Sequence, residues 1–75
     1  MERAETKTIE VVVNGQPKSV PQGFDLAAIL QFLDVKPDRV AVELNRSIVR
    51  KTDWASTPVE AGAQLEIVWF VGGGI

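Results

Sequence analysis

The chain has no cysteine, no histidine and no tyrosine among its 75 residues. Without cysteine there is no disulfide, no thiolate nucleophile and no zinc finger. Without histidine there is no imidazole base to pair with a serine, so the common nucleophile–base arrangements cannot be built. Positive charge is not in excess either: 8 Lys and Arg stand against 10 Asp and Glu, for a net charge of −2. With no basic patch, nucleic acid and anionic membrane surfaces are poor partners. No apolar run approaches the roughly 20 residues that span a bilayer. The opening Met1-Glu2-Arg3-Ala4-Glu5 is charged and has no apolar segment behind it of the secretory kind. The expectation is a cytoplasmic protein with no resident cofactor and no metal.

What is present suits one small domain. A mass of 8.2 kDa leaves little room for an internal active site, but a hydrophobic fraction of 45% suffices for a core. Residues 1–8 are polar and aperiodic and read as a flexible tail. Ile9, Val11 and Val13 alternate on one face of a strand that ends at Asn14-Gly15. That dipeptide is a strong hairpin signal, because both residues tolerate positive φ. A second strand over Pro17–Val20 is stopped by Pro21-Gln22-Gly23.

A helix follows. Asp25 is a good N-cap, because its carboxylate can accept from the free N–H groups of the first turn. Phe24 and Ile29 are spaced for a hydrophobic staple. Leu26, Ile29, Leu30 and Leu33 form the apolar stripe, with Phe32 beside it. Pro37 prevents the helix from running far past Asp34. Beyond it, Val40, Val42 and Leu44 alternate inward. A turn at Asn45-Arg46 leads to a short strand over Ser47–Arg50, and Thr52–Ala55 suits one helical or 3₁₀ turn anchored by Trp54. The last strand runs from Gln64 to Phe70 with Leu65, Ile67 and Trp69 inward, both tryptophans reading as packing anchors. The order β-β-α-β-β-β is that of an α+β, β-grasp or ubiquitin-like domain over residues 9–71: a mixed sheet with one main helix. In that arrangement the first and last strands lie side by side at the sheet centre.

Gly72-Gly73-Gly74-Ile75 follows the last strand directly. A glycine run is often only a flexible end. It also suits an arm that threads a narrow channel in a partner, because glycine has no Cβ and reaches backbone angles closed to other residues. Extended, Val71–Gly74 reaches about 13–14 Å. A carboxylate there is a poor electrophile until it is coupled to a nucleotide phosphate, after which a sulfur nucleophile can convert it to a thiocarboxylate.

Four segments together, VNG near the start, RVAVELN, IVRKTDWA and the closing LEIVWFVGGG, resemble the ThiS family of thiamine-biosynthesis sulfur carriers. The resemblance spans about residues 9–74. It implies adenylation of a terminal glycine by an ATP-using, E1-like ThiF, and sulfur donation from the resulting thiocarboxylate to the thiazole synthase ThiG. The carrier would be a protein cosubstrate, not an enzyme, and a monomer when free. Gly73 and Gly74 match the family's terminal pair, so Gly74 is the residue expected to be modified, with Gly72 and Gly73 as its tail. Ile75 departs from the pattern and is expected to be trimmed. Arg46 replaces a glycine usual after the asparagine, so that turn is expected to differ in type. Arg50 stands where proline is common.

Val12, Val68 and Phe70 alternate away from the core and are expected to form an apolar contact face beside the tail, used by the activating enzyme, with Ala41 and Glu43 on the same side. Asp34 and Asp38 read as solvated residues around Pro37. Arg50 and Lys51 are candidates for salt bridges to an acidic partner, and Arg39 for pairing with a carboxylate. Three alternatives share much of this pattern: a molybdopterin-synthase small subunit, a cysteine-biosynthesis sulfur carrier, and a ubiquitin-like interaction module that is never activated.

Overall fold

A computed structural model describes residues 7–70. Strand β1 (Thr8–Val13) pairs antiparallel with β2 (Gln16–Pro21) through the Asn14-Gly15 turn. Its pairing begins one residue earlier than the alternation of Ile9, Val11 and Val13 suggests. The Gln22 N–H reaches back to the Lys7 carbonyl at 2.8 Å. The two prolines of β2 are tolerated because β2 is an edge strand, where one row of N–H groups has no ladder to complete.

Helix α1 (Leu26–Phe32) starts as its sequence predicts: Asp25 is extended and its Oδ1 accepts from the Ala28 N–H at 2.8 Å. Leu26, Ile29 and Leu30 are its buried residues. The stop is chemically specific. Asp34 takes φ 64°, the Asp34 N–H donates to the Gln31 carbonyl at 3.0 Å, and the Val35 N–H donates to the Leu30 carbonyl at 2.9 Å. This is a Schellman ending with aspartate in the left-handed position usually held by glycine. Phe24 packs against the core from before the helix, and its ring meets Phe32 edge-on, centroids 6.2 Å apart.

A 3₁₀ turn at Pro37–Arg39 leads into β3 (Val40–Leu44), which pairs antiparallel with β4 (Ser47–Val49). A second 3₁₀ segment, Lys51–Ser56, carries Trp54. That indole is 4% exposed and donates from Nε1 to the Val49 carbonyl at 2.9 Å, so its one polar atom is satisfied inside the core. The final strand, β5 (Gln64–Trp69), completes a five-stranded sheet in the order β2-β1-β5-β3-β4, parallel to β1 and antiparallel to β3. This is the β-grasp arrangement, with the first and last strands adjacent.

The core fills one side of the sheet. Val11, Val42, Leu65 and Ile67 face Leu26, Ile29, Leu30 and Trp54, all buried. Two sequence expectations change. Trp69 shares the core-facing side by its register opposite Val40, but is 51% exposed, so it is not a packing anchor like Trp54. The Asn45-Arg46 turn does not differ in type from Asn14-Gly15. Asn45 and Arg46 have φ 51° and 74°, against 50° and 84° for Asn14 and Gly15. Both are positive-φ pairs of the type I′ kind, whose twist matches that of the flanking strands. The hairpin imposes that geometry on arginine despite its Cβ.

Candidate functional site: the open face of the sheet

Alternation puts Val12, Gln64, Glu66, Val68, Ala41 and Glu43 on the side away from the helix, with Ile48 beyond them on β4. Ala41 and Glu43 therefore lie on the side expected of them. Val68 is 54% and Phe70 56% exposed, and the two lie two residues apart on one strand line. The Phe70 N–H donates to the Arg39 carbonyl at 2.8 Å, so pairing with the neighbouring chain continues past the end of β5. Val12 is half-buried and stands beside Gln64. At about 3.3 Å per residue along β5 it lies roughly 13 Å from Val68, with Glu66 between them. The three share a face but do not form one continuous patch. Gly72, Gly73 and Gly74, with Ile75, lie outside the described residues.

Ile48 is the most exposed large apolar side chain among the described residues, at 74%. Its place was not read from the sequence, because a strand as short as Ser47–Val49 shows too little alternation to assign a face. Its partner Glu43 is in turn opposite Glu66 on β5.

Two asparagines hold β5 from either side. The Asn14 Nδ2 donates to the Ile67 carbonyl at 3.2 Å, and its Oδ1 accepts from the Ile67 N–H at 2.7 Å. One carboxamide thus imitates a backbone residue and extends the β1–β5 ladder beyond Val13. On the other flank the Asn45 Oδ1 accepts from the Gln64 N–H at 2.9 Å, and the Asn45 N–H donates to the Gln64 carbonyl at 2.8 Å. The strand that leads toward the glycine run is therefore pinned at Gln64 and again at Ile67.

Among the charged candidates, the described residues show one intramolecular ion pair and one helix cap. Lys51 forms an ion pair with Asp38, joining the two 3₁₀ segments, and no ion pair within the described residues involves Arg39 or Arg50. The Lys51 hydrogen bond, then its charge, holds the Asp38 carboxyl below its ordinary 3.8. Asp25 is spent as a helix cap. Among the described residues no three acidic, cysteine or histidine side chains converge as a metal site, and no helix is long and apolar enough to cross a membrane.

The sequence profile of the ThiS family matches residues 5–74. Thiazole synthases of Paramagnetospirillum magneticum and Magnetococcus marinus are 39% and 32% identical to the chain over 66 residues, 88% of this chain in each case. That stretch is 20% of either synthase, so the chain spans about a fifth of the length of these relatives. Among solved structures, the crystal structure of the thiamine biosynthesis protein ThiS of Geobacter metallireducens matches with a TM-score of 0.78 at 30% identity, covering 88% of this chain and 100% of that one.

Proposed function

The chain belongs to the ThiS family, and on that premise we propose that it is a sulfur carrier for the thiazole of thiamine, charged at Gly74. In this sequence Ile75 follows Gly74, so hydrolysis of the Gly74–Ile75 bond must first expose the glycine carboxylate. A ThiF-like enzyme then transfers the adenylyl group of ATP to that carboxylate, releasing pyrophosphate. Hydrosulfide then attacks the acyl carbon, the bond to AMP breaks and AMP leaves, and loss of the sulfur-bound proton makes the terminus a thiocarboxylate. ATP is consumed on the activating enzyme; the carrier contributes the acyl group and a docking surface.

The observation that carries the reading is the family match running through Gly74. The thiazole synthase relatives support the recipient: a segment similar to this chain makes up a fifth of each, and two units joined in one polypeptide suit consecutive steps of one reaction. They favour the thiazole pathway over the sister carriers. The composition agrees with a cosubstrate role, because no histidine or cysteine is present to run the chemistry. Val68 and Phe70, exposed on the strand that leads to the glycines, are the proposed contacts for the activating enzyme, with Val12 at the far end of the same face.

Intact mass after incubation with ATP, magnesium, a ThiF-like enzyme, a sulfur donor and a cell extract that supplies the trimming peptidase tests this. The expected product is a chain ending at Gly74 whose mass has risen by the exchange of one oxygen for sulfur. A chain that keeps Ile75 and takes up no sulfur is the non-activated interaction module instead.

A further inference from the structure

Within its strands, the open face carries one sign of charge, with Arg46 lining it from the turn before β4. The ionisable strand residues that the register places there are Glu10, Glu43 and Glu66. Lys18, on β2, is opposite Val11 and so belongs to the other side. Arg46 and Arg50 flank β4 just outside its ends. Glu43 and Glu66 are direct cross-strand partners. Residues so opposed hold their Cβ atoms about 4.5–5.5 Å apart, and like charges in that arrangement destabilise the sheet. Among the described residues neither glutamate is in an ion pair, although Arg46 stands at the rim of the same hollow.

That hollow is the second observation. Between the two asparagine turns the open face dips into a concavity of about 190 Å³, lined by Val12, Asn14, Glu43, Arg46, Gln64 and Glu66. Apolar side chains flank the acid pair: Ile48 beside Glu43 on the β4 side, and Val68 two residues beyond Glu66. Opposed carboxylates weaken a sheet, and one change to lysine would remove the repulsion.

We infer that Glu43 and Glu66 form a seat for a cationic side chain, an arginine by preference, on the surface of the adenylating enzyme, with Ile48 and Val68 as its apolar flanks. The inference rests on the carrier reading above. A planar guanidinium can donate to both carboxylates at once, turning a like-charge repulsion into charge-assisted hydrogen bonds. Glu43 is half-buried and Glu66 exposed, so the seat is open to solvent until the partner covers it. Such a pair acts mainly on the association rate and on its sensitivity to salt.

The test is the association rate of the full chain with its ThiF-like enzyme, measured across a salt series for Glu43→Gln, Glu66→Gln and Glu10→Gln, alongside the thermal midpoint of each free variant. Glu10→Gln alters the net charge identically but lies on β1 opposite Ser19, away from the hollow. Glu43→Gln and Glu66→Gln are each expected to slow association by a factor on the order of 3–10 and to flatten its salt dependence, while leaving the midpoint unchanged or raised. Glu10→Gln is expected to bind at the wild-type rate. Equal slowing by all three variants would reduce the effect to net charge and overturn the proposal. So would wild-type rates in Glu43→Gln and Glu66→Gln while the wild-type chain still takes up sulfur, an outcome that leaves the carrier reading standing. A wild type that neither binds the enzyme nor takes up sulfur overturns both.

Discussion

The two faces of the sheet are built from the same strands by the same alternation, and they have opposite fates. On β5 the residues toward the helix, Leu65 and Ile67, are 3% and 4% exposed, while Val68, pointing the other way, is 54% exposed. One helix and one 3₁₀ segment cover one side, and no element of the described chain is left for the other. Exposure of single apolar residues is ordinary. Here, however, the uncovered side sets Ile48 and Val68 on either flank of an opposed pair of glutamates, with Phe70 further along the same strand line. Apolar content alone therefore does not distinguish core from contact surface; cover does. One face is organised for stability and the other tolerates features that stability alone would remove.

The sharpest way to break that contrast is to truncate a side chain on each face. Ile29, fully buried, packs against the core side of the sheet. Ile29→Ala is expected to cost about 2–5 kcal/mol, because it removes buried methyl groups and leaves a cavity. Val68→Ala should change stability by no more than about 0.5 kcal/mol. Urea titrations of the two variants make the comparison, and equal losses would show that the open face is also structural.

Next in size is the clamp between the faces. Asn14→Ala removes both side-chain bonds to Ile67 and leaves that part-buried N–H and carbonyl without the partners they have now. The expected cost is about 1–3 kcal/mol. Hydrogen exchange should accelerate at the Ile67 amide more than at Val42, across the sheet. Exchange that rises evenly throughout would mean that Asn14 stabilises the domain globally, with no special hold on β5.

A smaller effect of opposite sign is expected at the second turn. Arg46 sits at φ 74°, where a side chain is unfavourable. Arg46→Gly should raise stability by about 0.5–1 kcal/mol, the relief of that strain less the extra freedom gained by the unfolded chain. The thermal midpoint reads it out, and a lower midpoint would mean that the arginine makes a contact that outweighs its backbone strain.

The smallest expected effect concerns the exposed Lys51–Asp38 pair. Lys51 lowers the Asp38 pKa, so folding favours the ionised carboxylate. The contribution is present above the ordinary value of 3.8 and is lost as the pH falls through that value toward the lower folded-state pKa. Asp38→Asn should slightly flatten the acid limb of a stability–pH curve and barely change it at neutral pH. An acid limb identical to wild type would show that the pair does not affect folding.

Much of the fold is legible along the chain because its signals are local. Asp25 caps a helix through a bond to Ala28, three residues away, and Asn14-Gly15 turns a hairpin by its own backbone preferences. Trp54 could be read as an anchor because a lone tryptophan in a short turn has few other places to go. The candidate contacts were partly legible: alternation placed Val12, Val68 and Phe70 away from the core but not their distances from one another. The same rule makes Trp69 an anchor and its exposure contradicts this, since alternation gives a direction and not the cover above it.

Sequence alone determined where the chain turns, which residues of each strand and helix share a face, and that a glycine run follows the last strand, because these depend on neighbours within a few positions. Tertiary structure decided the rest: that Asn14 completes the ladder of Ile67, 53 positions away, that Glu43 meets Glu66, and that Arg46 adopts a glycine's backbone. The physical reason is that strand order and register are collective. Each is set by closing the whole sheet over one shared core, and a side chain's partner across that sheet is a consequence of the closure that its own neighbours in sequence do not encode.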